Sequence, residues 1–106
     1  MANVDHPNKQ GVFEVVSSFA IKRRGEFYFL GQIKEGKLEV DWYLNITLNS
    51  SLALTIKVDT IEDIEITGEK SSYKLIISKE DPEMLDLLLG MSIENEYVDV
   101  TINGED

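Results

Sequence analysis

Leu38-Glu39-Val40-Asp41-Trp42-Tyr43-Leu44-Asn45-Ile46-Thr47-Leu48 is the stretch that decides how the chain folds. Leu38, Val40, Trp42, Leu44, Ile46 and Leu48 alternate with Glu39, Asp41, Tyr43, Asn45 and Thr47, one apolar face against one polar face. Period two sustained over eleven residues is the pattern of a half-buried antiparallel strand. Trp42 shares the parity of the aliphatic residues, which places it in the interior of a barrel. Asn49-Ser50-Ser51 then supplies hairpin residues, and Leu52, Leu54, Ile56 and Val58 alternate again.

The flanking segments follow the same rule. Val12 to Ile21 reads as a first strand, with Phe13, Val15, Phe19 and Ile21 on one parity. Lys22-Arg23-Arg24-Gly25 interrupts it as a turn. Phe27, Phe29, Gly31 and Ile33 continue as a second strand, and Lys34-Glu35-Gly36-Lys37 turns into the central one. Ile61 differs in parity from Ile64 and Ile66, which predicts a bulge or break near Glu62-Asp63 before Gly68 ends the segment. Tyr73, Leu75 and Ile77 form a further strand, with Ile76 on the other face. Asp81-Pro82-Glu83 starts a helix and Gly90 closes it, giving one helix over 82–89. Val98, Val100 and Ile102 make the last strand. The expectation is an all-β fold: a small antiparallel barrel of six to seven strands over 12–102, with one short helix, a loose tail at 1–11 and another at 103–106.

With 106 residues, 42% of them hydrophobic and 28% charged, the chain suffices for one domain. Folding at this length buries roughly two-thirds of the extended chain's surface, enough for a core without staples. The absence of cysteine excludes disulfides, zinc–thiolate sites, iron–sulfur clusters and thiol nucleophiles. No apolar run is long enough to span a bilayer and Met1 to Pro7 lacks a signal-peptide core, so a cytoplasmic location is expected. Charge is unevenly placed. Residues 1–58 hold seven Lys and Arg against six Asp and Glu, whereas residues 59–106 hold three against fourteen, a net of −11 within the total of −10. Such a field disfavours nucleic acid and anionic membranes, and permits a basic protein partner.

Candidate chemistry is sparse. Gly31-Gln32-Ile33-Lys34-Glu35-Gly36-Lys37 has the spacing of a phosphate-binding loop. Leu38 stands where the magnesium-binding hydroxyl belongs, Glu35 brings a like charge, and a strand follows instead of a helix N-terminus. A hairpin turn accounts for the same residues. His6 is the only histidine, so no Ser-His-Asp triad assembles. Glu62, Asp63 and Glu65, or Glu94, Glu96 and Asp99, offer carboxylates without the order of a calcium loop. Alternation places Glu94 and Glu96 on one strand face, and a solvated acidic edge explains both groups. Asn45-Ile46-Thr47 and Asn49-Ser50-Ser51 match glycosylation sequons, with no secretory signal to expose them. Lys22-Arg23-Arg24, beside Phe19, Phe27 and Tyr28, has the residue types of an RNA-gripping tip. With Phe19 and Phe27 on the core parity, only Tyr28 is left to stack, and a solvated hairpin tip is the plainer account. No catalytic, metal or cofactor site is expected.

Phe13-x-Val15, Phe19-x-Ile21, Arg24-Gly25, Gly31-x-Ile33-x-x-Gly36, Leu38-x-Val40 and Leu44-x-Ile46 resemble the β-barrel second domain of translational GTPases such as elongation factor Tu. Leu54-x-Ile56 and Leu87-Leu88-Leu89-Gly90 are similar to that domain's later half, so the likeness runs from about Phe13 to Ile102. The family's glycine-rich segment before the penultimate strand is replaced by Lys70-Ser71-Ser72-Tyr73, and a chain this short has no room for the GTP-binding domain. The resemblance implies a barrel; in the family that barrel contacts RNA, a role the net charge of −10 opposes.

Together these readings point to a stand-alone, non-catalytic binding module, or alternatively an acidic inhibitor or immunity-type protein that masks a basic enzyme or toxin. Tyr28, Leu30 and Tyr43 fall on the outward parity of two strands expected to be neighbours, and with Arg23 and Arg24 they are the candidate partner contacts. The competing expectation is that the 82–89 helix, through Met84, Leu85 and Leu88, covers them as a second small core. The loop-like run is directly testable. Titration calorimetry with magnesium and GTP or ATP is expected to show no binding, and Lys37→Ala to leave stability nearly unchanged; micromolar binding abolished by Lys37→Ala would refute the turn reading.

Overall fold

The computed structural model describes residues 9–49, 52–65, 68 and 72–102, the side chains at 48, 49, 52 and 53 excepted. Among these described residues seven strands run β1 Lys9–Ile21, β2 Glu26–Gly36, β3 Tyr43–Asn49, β4 Leu52–Lys57, β5 Thr60–Glu65, β6 Ser72–Lys79 and β7 Glu96–Thr101. One helix, α1 Pro82–Met91, lies between β6 and β7. All neighbouring strands are antiparallel, in the order β4-β3-β7-β1-β2-β6-β5, and the sheet curls into a half-barrel. The all-β expectation therefore holds.

Opposite edges of this sheet, β4 and β5, are joined by Val58 and Asp59 alone. Val58 is fully buried and bonds the residues just before β3 on one side, its N–H reaching the Trp42 carbonyl at 2.8 Å and its carbonyl accepting from Asp41 N at 2.7 Å. Asp59 bonds the other side, its N–H reaching the Ile77 carbonyl at 2.9 Å and its carboxylate accepting from Lys79 N at 2.8 Å. The break in alternation thus lies at Val58–Asp59, not at the predicted Glu62–Asp63, because the chain changes strand partner there.

The concave face carries the core: Phe13, Val15, Phe27, Phe29, Leu44, Ile46, Ile56, Val58, Ile76, Val98 and Val100. Helix α1 closes one end, burying Leu85 and Leu88 in that same core. Asp81 caps it, its carboxylate accepting from Met84 N at 2.8 Å. The helix passes the predicted stop at Gly90 and ends at Met91, capped by Ser92, which has a left-handed φ of 52° and donates its N–H to the Leu89 carbonyl. Ile93 follows, fully buried, before Asn95 turns the chain into β7.

Several other expectations are corrected. Lys9 to Gly11, expected in the tail, form the start of β1, paired with β2 and β7; residues 1–8 and 103–106 lie outside the described ones. Phe19 is 43% exposed, because a register shift between Val15 and Ser17 inserts Val16 and moves every later residue of β1 to the opposite face. Gly31 sits opposite Val15 at that shift, where a β-carbon would stand 1.8 Å from the Glu14 carbonyl oxygen, so only glycine admits the approach. Of the turn expected at Lys34–Lys37, Lys34 to Gly36 are instead the end of β2 and Lys37 follows it. The long central strand is shorter than predicted. Asp41 takes a φ of 76° in a turn closed by Trp42 N to the Glu39 carbonyl at 3.2 Å, so only Tyr43–Asn49 is strand. Leu38 stays buried, Val40 is 47% exposed, and Trp42 packs half-buried on the rim of the core. Ile102 lies beyond β7 and is exposed.

These placements rank two aromatic truncations. In urea unfolding, Phe29→Ala is expected to cost about 3–5 kcal/mol, as for a fully buried ring. Trp42→Ala is expected to cost less, about 2 kcal/mol, because part of its indole is already hydrated; equal losses would contradict the peripheral placement of Trp42.

Candidate functional site: a groove on the outer face

Because side chains alternate, the shift at Val16 gives the outer face its own apolar rows. Phe19, Tyr28, Ile77 and Thr60 lie side by side across β1, β2, β6 and β5, and Ser17, Leu30, Leu75 and Glu62 form the next row. Phe19 stacks flat on Tyr28, with centroids 4.8 Å apart and planes within 8°. Beside them an open groove of about 450 Å³ has a floor of Tyr28, Leu75 and Ile77 and a rim that includes Arg24, Glu26, Glu62 and Lys79.

The rim is ordered around Glu26. Its carboxylate accepts from the Tyr28 hydroxyl and pairs with Arg24 Nε at 3.2 Å. The Glu26 hydrogen bond first, then burial and the charges of Glu26 and Glu62, raise the Tyr28 phenol above its ordinary 10.0, with Arg24 acting in the opposite sense. Tyr28 is thereby a neutral, oriented ring at neutral pH. The groove offers an apolar floor with charges of both signs at its margin. That suits an aliphatic or aromatic side chain flanked by polar groups.

The predicted contact residues are only partly brought together. Tyr43 shares the outward parity of Tyr28 and Leu30 but does not lie beside them, since β7 and β1 separate β3 from β2. Tyr43 instead pairs with Lys57 and Thr101. Nor does the helix cover Tyr28 and Leu30: it docks on the concave side with Phe27 and Phe29. Arg24 lines the groove, and Arg23 forms no ion pair among the described residues. Lys22, the third member of that basic turn, is bound to Asp86 at 2.6 Å. Parity reasoning missed Phe19, Leu75 and Ile77. The consecutive apolar pairs Val15-Val16 and Ile76-Ile77 were the signals that both faces of these strands are apolar.

Other candidates disperse. Glu62 points outward, while Asp63 and Glu65 share the inner parity and Asp63 pairs with Lys74. Glu94 precedes β7 and does not share a strand face with Glu96. Asp99 pairs with Lys9 at 3.6 Å. Among the described residues, no three His, Asp or Glu side chains gather where a metal could bind. His6 lies outside the described residues. Asn45 is buried, its amide donating to Thr101 Oγ1 at 2.9 Å and accepting from Thr55 Oγ1 at 3.3 Å, so the first sequon is not presented; the second lies partly outside the described residues. A smaller hollow of about 230 Å³ between Ser17, Ser18, Leu89 and Ile93 has Glu94 as its one ionisable neighbour. Gly31–Gly36 lies in β2, paired with β1, and not in a loop leading to a helix. No helix among the described residues is long and apolar enough to cross a membrane.

No protein-family model, curated protein or solved structure matches the chain.

The rim makes a prediction about alkaline pH. Difference titration of phenolate absorbance between the wild type and Tyr28→Phe is expected to place the Tyr28 midpoint above 10.0, and Glu26→Gln to lower it. A phenol raised on folding contributes stability that is complete below its unfolded value and lost as pH climbs through its folded one. The stability advantage of the wild type over Tyr28→Phe is therefore expected to shrink as pH climbs past the unfolded value. A midpoint at or below the ordinary value would remove Glu26 from this role.

Proposed function

We propose that this protein is a non-catalytic, cytoplasmic binding module that engages a protein partner through the outer-face groove over Tyr28, Leu75 and Ile77. The observation that carries the reading is a partly exposed apolar floor, Leu75 and Ile77 beside the buried ring of Tyr28, on a sheet whose opposite face already holds the core and the helix. Of the groove's two hydroxyls, the Tyr28 phenol is tied to Glu26 and Thr60 is an ordinary alcohol on the edge strand, which favours recognition over reaction. The likeness of the β1–β2 region to the barrel of translational GTPases agrees with a binding role and adds no catalytic group. A second reading, an acidic protein masking a basic enzyme or toxin, is favoured by the net of −11 over residues 59–106. The two differ in what drives association: the first in apolar burial at the groove, the second in charge, and so in salt dependence.

Leu75→Lys tests the groove. Affinity capture with cross-linking is expected to retain a partner on the wild type and to lose it on the variant, whose unfolding midpoint is expected to stay close to wild type because Leu75 is only partly buried. Equal capture by both proteins would remove the groove as the contact. Loss of capture at high salt with Leu75→Lys unaffected would favour the second reading.

A further inference from the structure

Strand β5 ends the sheet on its side, so among the described residues the backbone groups turned away from β6 meet no further strand. Thr60, Glu62 and Ile64 face outward, and Ile61, Asp63 and Glu65 share the inner parity. The Asp63 carboxylate is already paired with Lys74, whereas Glu62 and Glu65 have no cationic partner among the described residues. Most described cations are similarly held: Lys9, Lys22, Arg24, Lys34 and Lys57 each pair with a nearby carboxylate. The unspent charge along this edge is therefore negative. A second copy laid against β5 would oppose carboxylate to carboxylate, a destabilising cross-strand match. A cationic strand meets the reverse. Thr60, the short residue of its row, also leaves the groove floor of Ile77 and Tyr28 open toward this edge.

We infer that β5 accepts an extended basic segment of the partner as an eighth, antiparallel strand, with basic residues opposite Glu62 and Glu65 and aliphatic ones opposite Ile61 and Ile64. The inference rests on the reading of the molecule as a protein-binding module and specifies how its partner is held. Backbone pairing supplies affinity, the two carboxylates set register, and the residue opposite Thr60 stands at the mouth of the groove. Read in the partner's direction, the motif is basic, aliphatic, any, basic, aliphatic, large apolar.

The probe is the capped hexapeptide Lys-Val-Thr-Lys-Val-Phe, titrated into nitrogen-15-labelled protein. The expected result is saturable shifts of the Thr60 to Glu65 amides with slowed hydrogen exchange along β5. A Glu-Val-Thr-Glu-Val-Phe peptide is expected to bind at least about tenfold more weakly, and the double variant Glu62→Lys, Glu65→Lys to lose a similar factor for the lysine peptide. N-methylation at both valines blocks one amide on each edge of the peptide, so it is expected to abolish the β5 shifts. Undiminished binding of the methylated peptide, absence of saturable binding, or self-association through β5 would each overturn the inference. Shifts confined to Tyr28, Leu75 and Ile77 would overturn strand addition yet leave the groove reading standing. Failure of that reading shows separately, as capture that Leu75→Lys does not reduce.

Discussion

Two residues hold the architecture closed. Val58 and Asp59 connect β4 to β5, strands that stand at opposite ends of the hydrogen-bonded order. Six interstrand steps would separate those ends by about 29 Å in a flat sheet. The short connection from Lys57 to Thr60 reaches at most about 11 Å. The sheet has no option but to roll. Rolling creates the concave cavity that Phe13, Phe27, Phe29 and Ile76 fill and that α1 closes with Leu85 and Leu88. The corner is anchored accordingly, with Val58 bonded to the Trp42 backbone and Asp59 to Ile77 and Lys79. Neither corner residue leaves its own backbone N–H without a partner, as burial requires.

The second governing feature is the extra residue in β1. Before Val16 the strand sends Phe13 and Val15 into the core; after it, Ser18 and Ala20 face inward and Phe19 faces out. One insertion thereby lets a single strand serve the core at one end and the outer groove at the other. Gly31 is the complement on β2, where a side chain would collide with the Glu14 carbonyl. Core and groove are consequently coupled through the backbone of two strands, although their side chains lie on opposite faces. The small inward residues Ser18 and Ala20 also leave space for the segment after the helix, and the Ser18 hydroxyl bonds the Ile93 carbonyl at 2.5 Å.

Much of this was legible in the residues. Alternation found every strand, and Asp81-Pro82 marked the helix start, because both depend on local physics. The shared parity of Leu44, Ile46, Ile56, Val98 and Val100 identified a large part of the core. Face assignment failed where registry changed. Phe19 was assigned to the core because a bulge leaves no mark beyond Val15-Val16, and Trp42 joined a strand that the Asp41 turn cuts short. The outer site was half visible: Tyr28 and Leu30 stood on the correct parity, but strand order decides their neighbours. Hairpin logic joins β2 to β3, whereas the fold places β7 and β1 between them. Nothing local in Tyr73-Lys74-Leu75-Ile76-Ile77 says which aliphatic residue faces in, since tertiary packing alone distinguishes Ile76 from its neighbours.

The position of β7 has a consequence for the order of assembly. It lies between β3 and β1, bonded to both, yet its residues 96–101 are made long after either neighbour. Until they emerge from a translating ribosome, the β1–β2–β6–β5 portion and the β3–β4 hairpin share no strand and are tethered only by the chain. The inner apolar residues of each portion meanwhile remain wet, including Phe13 and Leu44, which later pack with Val98 and Val100. Closure is therefore a late, long-range event of the kind that slows folding, and its nascent intermediates are the forms in greatest need of chaperone protection.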